Sequence, residues 1–389
     1  MLRVLTLSTL FPDAMRPNFG PFVEIQTRGL AAHPAVELQV VTPIGIPPLG
    51  RYHSHYKALA GLPEIERWND ITVHRPRFTH VPGTGGRFDA AAIARSVTPL
   101  LCRIRQTFAF DVIDAEFFFP DGPAAVELGR IFDVPVSIKA RGSDIHYWGM
   151  TNAPTRAQVV AAGQAADGML AVSAALKADM VTLGMPEDRI TVHYTGVDRT
   201  RFHVRDRAVA KAALGISGPL LVSVGNVIER KGHQFVIEAL AQVPDATLVI
   251  IGKGEMRARL EAQIAQLGLQ SRVRLLGSQP HNIIADWLAA ADAMVLISAS
   301  EGLANGWIEA LASGTPIIVP DVGGAREVLG GPEAGVLTDR NPGSIASAIS
   351  FSLARNLDRH AVAATVDRFS WDANTAALYD HLTKVAARR

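Results

Sequence analysis

The sequence predicts an α/β fold class with two Rossmann-like, doubly wound domains. Short apolar runs, typical of buried parallel strands, alternate with helical patterns along the chain, and the alternation begins again at Pro219. A chain of 389 residues is also too long for one hydrophobic core of ordinary size. We therefore predict a first domain at residues 1–205 and a second at residues 206–369.

Each strand predicted in the first half is an apolar run that ends in a polar or glycine-containing turn. The runs are Val4–Leu7, Glu37–Thr42, Ile71–His74, Val112–Ala115, Pro135–Ala140, Met169–Val172 and Ile190–Tyr194. Helical patterns separate them at Val23–Leu30, Phe88–Phe108, Gly122–Ile131 and Ala174–Leu183. The stretch Ile44–Asn69 is polar and rich in aromatic residues, so we expect a surface loop there.

The second half repeats this pattern with a similar set of buried strands. The predicted strands are Pro219–Asn226, Thr247–Ile251, Val273–Leu276, Ala293–Ile297 and Pro316–Pro320. A helix is predicted from His233 to Gln242, directly after the first of these strands, and an amphipathic helix from Ser370 to Val385.

Composition excludes several classes of partner. Hydrophobic residues make up 48% of the chain, charged residues 19%, and the net charge is +1, so neither nucleic acid nor a strongly acidic substrate is expected. Residues 1–110 are more basic, with 12 Lys/Arg − 7 Asp/Glu = +5. Six arginines lie close together in that segment: Arg75, Arg77, Arg87, Arg95, Arg103 and Arg105. They form either a solvated surface or a peripheral contact with anionic lipid or an anionic acceptor.

The cellular location is predicted from absences in the sequence. Cys102, the single cysteine, excludes an internal disulfide and suits a reducing cytosol, and its apolar surroundings predict a buried thiol. The sequence contains no run of 18 apolar residues, so no transmembrane helix is expected. The apolar stretch at the N-terminus is too short and too strand-like for a signal peptide. We expect a cytoplasmic protein, with association at the inner face of the plasma membrane as an open alternative.

The loop after the strand Ala293–Ile297 carries the main chemical signal. It precedes a helical pattern, and a helix N-terminus offers unpaired N–H donors and a partial positive charge that attract phosphate. The loop and helix also hold Glu301 and Glu309, which repel phosphate and therefore suit neutral hydroxyls beside it. A diphosphate that joins two sugars would use all of these groups. The alternative is an ordinary helix start with acidic residues in its first turns.

A second basic element lies before the helix that begins at His233. Arg230 and Lys231 precede Gly232 there, and a cation at a helix N-terminus is unfavourable unless an anion binds to it. We therefore predict that these two residues contact phosphate.

The spacing Glu301-x7-Glu309, within EGLxN…EA…G, resembles the donor-site motif of the family 4 glycosyltransferases. These are retaining enzymes of the GT-B fold that include bacterial polysaccharide and teichuronic acid glycosyltransferases. The resemblance implies that Glu301 approaches the donor hexose and that Glu309 holds the ribose diol. It places the loop amides on the diphosphate, from Gly302, Leu303, Ala304 and Asn305.

The family's Gly-Arg…Lys-Gly site corresponds to residues 225–232. Lys231 matches the family lysine, but Asn226 stands where the family has an arginine, and Arg230 is the candidate substitute. In the first half, the family's His-Gly-x-Asp corresponds to Arg141 through Asp144. Arg141 cannot shuttle a proton at neutral pH, so an electrostatic role on phosphate or developing negative charge is expected for it.

Glycine turns at strand ends complete the resemblance. Gly20 belongs to a stretch similar to the family's N-terminal glycine loop, which borders the interdomain cleft. Gly252, Gly254 and Gly277 follow two strands of the second half and are expected to line the nucleoside pocket. The C-terminal helix, 370–389, is expected to cross back to the first domain, as is common in this fold.

The resemblance implies a retaining transfer of a hexose from a UDP- or GDP-sugar to a saccharide or lipid-linked acceptor. The donor is expected on the second domain and the acceptor on the first, including the loop Ile44–Asn69. No cofactor and no metal are expected, since cations and a helix terminus would hold the diphosphate. Two alternatives stay open: a nucleotide-sugar epimerase of the same fold, and a non-catalytic nucleotide-sugar-binding protein.

Overall fold

The computed structural model describes residues 1–388, without the side chain of Arg51, and divides into two compact units. The first unit contains Met1–Thr195 together with the C-terminal segment that begins at Trp371, and the second contains Gly196–Ser370. Arg389, the last residue of the expected C-terminal helix, lies outside the described residues. Over residues 1–388, no helix is both long and apolar enough to span a bilayer.

The first unit is built around a mainly parallel sheet. The strands of this unit, two of which lie outside that sheet, are β1 (Leu2–Leu7), β2 (Val36–Val41), β3 (Ile44–Ile46), β4 (Ile65–Trp68), β5 (Ile71–His74), β6 (Arg77–Thr79), β7 (Val112–Ala115), β8 (Val136–Ala140), β9 (Gly168–Ala171) and β10 (Ile190–Val192). Its helices before the C-terminal segment are α1 (Pro21–Ala31), α2 (Ser54–Ala60), α3 (Asp89–Ile104), α4 (Asp121–Phe132), α5 (Ser143–His146), α6 (Ala153–Ala165) and α7 (Ala174–Thr182).

The large sheet of this unit has the strand order β10-β9-β8-β7-β1-β2-β5-β4. Its neighbours run parallel except β4, which pairs antiparallel with β5 at the edge. The order reverses between β1 and β7, and the carboxyl ends of strands at such a reversal form the usual ligand crevice of an open α/β sheet.

The expectation of a loop over Ile44–Asn69 was wrong. That stretch contains β3, α2 and β4, and β3 pairs with β6 in a separate two-stranded sheet. β4 pairs with β5 through a tight turn at Asn69 and Asp70, whose φ angles are 47° and 67°. Positive φ at both central residues is the geometry of a hairpin turn that matches strand twist, and Asn and Asp tolerate it.

Cys102 is exposed, contrary to the expected buried thiol. The buried side of α3 is formed by Ile93, Val97, Leu101 and Ile104, which follow helical spacing. Cys102 is one position beyond Leu101 and therefore lies on the solvent side of the helix.

The second unit has one parallel sheet with helices between its strands. The strands are β11 (Leu220–Val224), β12 (Thr247–Ile251), β13 (Val273–Gly277), β14 (Ala293–Val295), β15 (Ile317–Val319) and β16 (Gly335–Leu337). The helices are α8 (Arg207–Ala213), α9 (His233–Leu240), α10 (Arg257–Gln266), α11 (His281–Ala290), α12 (Asn305–Ala312), α13 (Ala325–Val328), α14 (Pro342–Ala354) and α15 (Arg359–Ala364).

The strand order of the second sheet is β13-β12-β11-β14-β15-β16. This is the order 3-2-1-4-5-6 of a nucleotide-binding doubly wound sheet, with its reversal between β11 and β14. Side chains of the central strands are fully buried, as in Leu221, Leu248 and Val295, and they pack against helices on the sheet faces. The continuous apolar runs in the sequence reflect this burial on both sides.

The C-terminal helix, α16 (Trp371–Ala386), belongs to the first unit. Leu378, Leu382 and Val385 enter the core that includes Val4 and Leu30. His381 lies 3.0 Å from the Ser137 hydroxyl, and Nε2 of His193 donates to the carbonyl of Asn374 at 2.8 Å.

The first unit ends at Thr195, before the boundary at 205/206 predicted from sequence. The intervening residues are bonded to the second unit. The amide of Val197 donates to the carbonyl of Phe369, Arg199 pairs with Asp367, and Arg205 pairs with Asp286.

Candidate active site

Two loops that carry charged side chains meet in the second unit, where the strand order of its sheet reverses between β11 and β14. One follows β11 and contains Arg230 and Lys231, and the other follows β14 and contains Glu301. The ammonium of Lys231 lies 2.5 Å from the carboxylate of Glu301. Both side chains are largely shielded, with 13% and 9% of their surface exposed. The two residues are therefore held together at the position where doubly wound sheets bind nucleotides.

Arg230 connects the same two loops. Its guanidinium donates to the carbonyl of Ser300, and its own carbonyl accepts from the amide of Ala299 at 2.8 Å. The structure thus places Arg230 beside the loop of Glu301. Asn226, at the family's arginine position, is exposed, and its carbonyl accepts from Nε2 of His233 at 3.1 Å.

The buried ring of His233 anchors the start of α9 to the strand and loop before it. Its Nδ1 lies 3.0 Å from the hydroxyl of Ser223, and burial lowers the pKa of its imidazole to about 4. The ring is therefore neutral over the physiological range and holds the loop without adding charge.

Glycines allow the loops at this edge of the second sheet to pack with their backbones in direct contact. A Cβ on Gly252 would lie 1.9 Å from the carbonyl oxygen of Gly225, and one on Gly254 would lie 2.2 Å from that of Val227. A Cβ on Gly323, where φ is +51°, would lie 2.0 Å from the carbonyl oxygen of Glu301. No other residue type fits at such distances. Gly277 accepts from the amide of Gly252 at 2.9 Å.

The loop before α12 presents free backbone donors. Among the described residues, the N–H groups of Gly302, Leu303, Ala304 and Asn305 donate to no acceptor. The carbonyl of Gly302 is engaged instead, since it accepts from the amide of Gly324 at 2.8 Å. Gly302, Leu303 and Ala304 are buried, so these donors require a ligand or water. Free amides at the start of an eight-residue helix form an anion-binding site.

Glu309 lies one turn into α12 and is partly exposed. In the part of the chain that the structure describes, its carboxylate accepts no hydrogen bond. Burial raises the pKa of the Glu309 carboxyl to about 7, and the charge of Arg201 opposes this shift. A carboxylate without a protein donor, next to an anion site, is suited to accept hydrogen bonds from a diol.

In the first unit, Arg141 follows β8 and is paired with Glu116, which follows β7. The guanidinium forms an ion pair with the Glu116 carboxylate, and its Nε donates to the Glu116 carbonyl at 2.7 Å. Arg141 also lies over the ring of Phe22, with its central carbon 4.8 Å from the centroid. Its positive charge is therefore compensated within the protein.

Asp144 organises the turn that follows Arg141. Its buried carboxylate accepts from the amides of Arg141, Gly142, Ile145 and Phe118 at 2.8–3.1 Å. Burial raises the pKa of Asp144, and these backbone donors oppose the shift. Gly20, with φ of 69°, directly precedes α1, and a Cβ there would lie 2.7 Å from the carbonyl oxygen of Leu10.

A buried polar cluster beneath Arg141 was not predicted from the sequence. Gln26 donates to Glu116 and accepts from Lys139, whose ammonium also donates to Nδ1 of His193 at 2.7 Å. Burial lowers the pKa of Lys139 to about 7 and raises that of Asp114. Glu116 could have been found, because it follows a predicted strand on the ligand side, as Arg141 does.

The predicted site residues thus fall into two groups. The second unit brings together Lys231, Arg230 and Glu301, with the free amides and Glu309 on the same loop and helix. The first unit brings together Arg141 and Asp144. Among residues 1–388, no cluster of three or more His, Cys, Asp or Glu side chains is arranged to hold a metal ion.

Comparisons with known proteins agree with this division. Residues 27–201 match the family model described as Glycosyltransferase Family 4, and residues 205–366 match the model described as Glycosyl transferases group 1. A Bacillus subtilis protein assigned to teichuronic acid biosynthesis as a glycosyltransferase is 26% identical over 90% of this chain and 88% of its own length. The D-inositol 3-phosphate glycosyltransferase of Xylanimonas cellulosilytica is 33% identical over 60% of each chain.

Solved structures show the same fold at low sequence identity. Sucrose-phosphate synthase from Thermosynechococcus elongatus has a TM-score of 0.82 at 19% identity and covers both chains fully. HepE of Anabaena, solved in complex with UDP and glucose, has a TM-score of 0.76 at 20% identity, over 99% of this chain and 100% of its own. The predicted fold class is confirmed. Because both halves match glycosyltransferase family models in order, the chain belongs to the family 4 glycosyltransferases, enzymes of the GT-B fold.

Proposed function

We propose that this glycosyltransferase moves a hexose from a UDP- or GDP-sugar to a saccharide or lipid-linked acceptor, with retention of anomeric configuration. The acceptor class places the reaction in the synthesis of a surface polysaccharide or glycolipid, at the cytoplasmic face of the membrane. The observation that carries the proposal is the set of free amides at Gly302–Asn305 beside the Lys231–Glu301 pair.

A nucleoside diphosphate satisfies each unpaired group of this site. The diphosphate accepts from the loop amides and from Lys231, whose ammonium has further N–H donors besides the one directed at Glu301. The ribose diol donates to the carboxylate of Glu309. HepE, which shares the fold, has been solved with UDP and with UDP-glucose, which supports this class of donor.

The proposed reaction needs no nucleophile from the protein. The bond between the anomeric carbon and the phosphate oxygen breaks, and the acceptor oxygen bonds to that carbon from the same face. The acceptor's proton passes to the leaving phosphate oxygen. Lys231, Arg230 and the loop amides stabilise the negative charge that develops on the diphosphate, and no metal is required for that.

Glu301 has two tasks in this scheme. In the free protein its carboxylate pairs with Lys231 and holds the ammonium in the crevice. When donor is bound, the same carboxylate lies next to the sugar end of the diphosphate and can accept from a hexose hydroxyl. The acceptor is assigned to the first unit, where Asp144 fixes the turn of Arg141.

A thermal-shift panel of UDP-, GDP- and ADP-sugars tests the donor class. A ligand at one hundred times its Kd stabilises the native state by about 2.7 kcal/mol, which raises the melting temperature. We expect one nucleotide class to do so in the wild type and to fail in Glu309→Ala. No shift with any sugar nucleotide contradicts the proposal.

Proton NMR of the reaction tests the chemistry. The coupling constant of the anomeric proton shows whether the new glycosidic bond is axial or equatorial. Comparison with the donor's anomeric configuration then gives retention or inversion. Conversion of the donor into a different nucleotide-sugar in the absence of acceptor identifies an epimerase. Tight donor binding without turnover on any acceptor identifies a binding protein. Either outcome excludes transferase activity.

A further inference from the structure

An exposed aromatic turn follows Asp144 in the first unit. Tyr147, Trp148 and Met150, between α5 and α6, have 59%, 44% and 42% of their surface exposed. Tyr147 and Trp148 pack edge to face, with ring centroids 5.1 Å apart. Single exposed apolar residues are ordinary, but three within four positions form a contiguous surface.

A second exposed segment lies against this turn. Phe88 is 48% exposed, and the guanidinium of Arg87 lies 4.6 Å from its ring centroid. The side-chain amide of Asn152 donates to the carbonyl of Gly85 at 3.5 Å, and that of Gln158 donates to the carbonyl of Arg87 at 2.9 Å. These two bonds hold residues 85–87 against residues 152–158, so the two exposed segments are adjacent in the structure.

Within the segments 83–95 and 147–158 the exposed charges are positive, and the carboxylate of Asp179 on α7 pairs with His146 beside Tyr147. Arg87, Arg95 and Arg156 are exposed, whereas Asp89, the acidic residue of the two segments 83–95 and 147–158, is buried and hydrogen-bonded to His80. A cavity of about 390 Å³ continues the face between α3, α4 and α6, with Arg95, Gln158 and the half-exposed Ile131 in its lining. Glu127 contributes a carboxylate to that lining.

Only part of the basic cluster suggested by sequence contributes to this face. Arg75 is buried against Glu66 and the carbonyl of Pro12, while Arg77 and Arg105 donate to backbone carbonyls. The guanidinium groups of these three arginines are therefore engaged by the fold. Arg87 and Arg95 of that cluster are exposed, as is Arg156, and Arg87 lies against the ring of Phe88.

We infer that this docking patch, formed by Phe88, Tyr147, Trp148 and Met150 with Arg87, Arg95 and Arg156, binds the surface of an anionic lipid bilayer. Trp and Tyr favour the boundary between headgroups and acyl chains, and arginines are attracted to anionic headgroups. A saccharide platform would use the aromatic rings but would not need Met150 or three surrounding cations.

The patch also has a useful position in the chain. α5 begins two residues after Arg141, so the patch continues directly from the turn that we assign to the acceptor. Docking there would bring a lipid-linked acceptor to that turn. This second step rests on the proposed function, whereas binding to the bilayer does not.

Vesicle binding by the full chain tests the inference. The probes are phosphatidylcholine vesicles with and without phosphatidylglycerol, followed by sedimentation and by quenching of tryptophan fluorescence with brominated lipid. We expect binding only to the vesicles that contain phosphatidylglycerol, and weaker binding at higher salt. Arg87→Gln with Arg95→Gln and Arg156→Gln should weaken it about 100-fold, since each arginine near an anionic surface contributes about fivefold.

A double variant, Tyr147→Ser with Trp148→Ser, should weaken vesicle binding at least tenfold, given the apolar area that the two rings bury. Phe351→Ser, which removes a 56% exposed aromatic residue of the second unit, is the matched control and should bind as the wild type does. No binding to the anionic vesicles, or equal binding by wild type and double variant, overturns the inference. A double variant that raises KM for a soluble acceptor but keeps vesicle binding identifies a saccharide platform and also overturns it.

Calorimetry with UDP- and GDP-sugars on the same samples separates this test from that of the proposed function. The patch variants should bind donor as the wild type does. Loss of vesicle binding with intact donor binding contradicts only the docking inference.

Discussion

Replacing Glu309 by glutamine should make the folded protein more stable and the enzyme worse at binding its donor. Burial raises the pKa of this carboxyl from its ordinary 4.5 to about 7. A raised folded-state pKa means that the fold favours the protonated form, so stability is greatest below about 4.5 and falls as pH rises through about 7. One pKa unit corresponds to about 1.4 kcal/mol, which gives about 3 kcal/mol for full ionisation. Because solvent reaches part of the side chain, we expect about 2 kcal/mol.

Urea unfolding followed by tryptophan fluorescence measures this effect. At about pH 8, Glu309→Gln should raise the free energy of unfolding by about 2 kcal/mol, and at about pH 5 it should change little. Glu261→Gln, which removes an exposed carboxylate paired with Arg257, is the control and should stay within about 0.5 kcal/mol at both pH values. A Glu309→Gln variant that is no more stable at the higher pH refutes the argument.

Donor binding should move in the opposite direction. A neutral amide accepts weaker hydrogen bonds from the ribose hydroxyls than a carboxylate does, so the Kd for the sugar nucleotide should rise about 10- to 100-fold. Unchanged donor affinity in Glu309→Gln contradicts the assignment of Glu309 to the ribose.

Three further predictions follow from particular contacts. Lys231→Ala should lower kcat by about 10²–10³, as for loss of an electrostatic donor to the leaving group, and wild-type kinetics would rule out that role. Gly323→Ala places a methyl group 2.0 Å from a carbonyl oxygen and should cost about 3 kcal/mol or more in thermal or urea unfolding, whereas Gly330→Ala, with no atom within 4 Å, should be neutral. Glu116→Gln removes the charge partner of buried Arg141 and should lower the free energy of unfolding by about 3–5 kcal/mol. The control is Glu187→Gln, in a largely exposed pair with Lys177, which should lower it by less than about 1 kcal/mol. Equal losses in the two variants would contradict this reasoning.

The central strands could be predicted from sequence because a parallel strand buried on both faces is a continuous apolar run. Val112–Ala115 and Thr247–Ile251 have the predicted bounds. The edge strand β4 could not be found this way, since it is half exposed and short. The local sequence signal for this strand is its hairpin turn, Asn69-Asp70.

The site was predictable in part for a similar reason. The motif placed Lys231 and Glu301 on the same ligand, but their direct ion pair joins residues 70 positions apart and depends on the strand order. Burial raises the pKa of Glu309 and the charge of Arg201 opposes that shift, and neither effect is visible in the local sequence. The pairing of Arg141 with Glu116 likewise arises where β7 and β8 end side by side.

A crystal structure of the protein with UDP-glucose, or with the GDP-sugar that the thermal panel selects, tests the central claim most directly. We predict that the pyrophosphate lies against the amides of Gly302–Asn305 and the ammonium of Lys231, with the ribose diol on Glu309. A crevice that stays empty under saturating donor, or a pyrophosphate bound elsewhere on the chain, would contradict it.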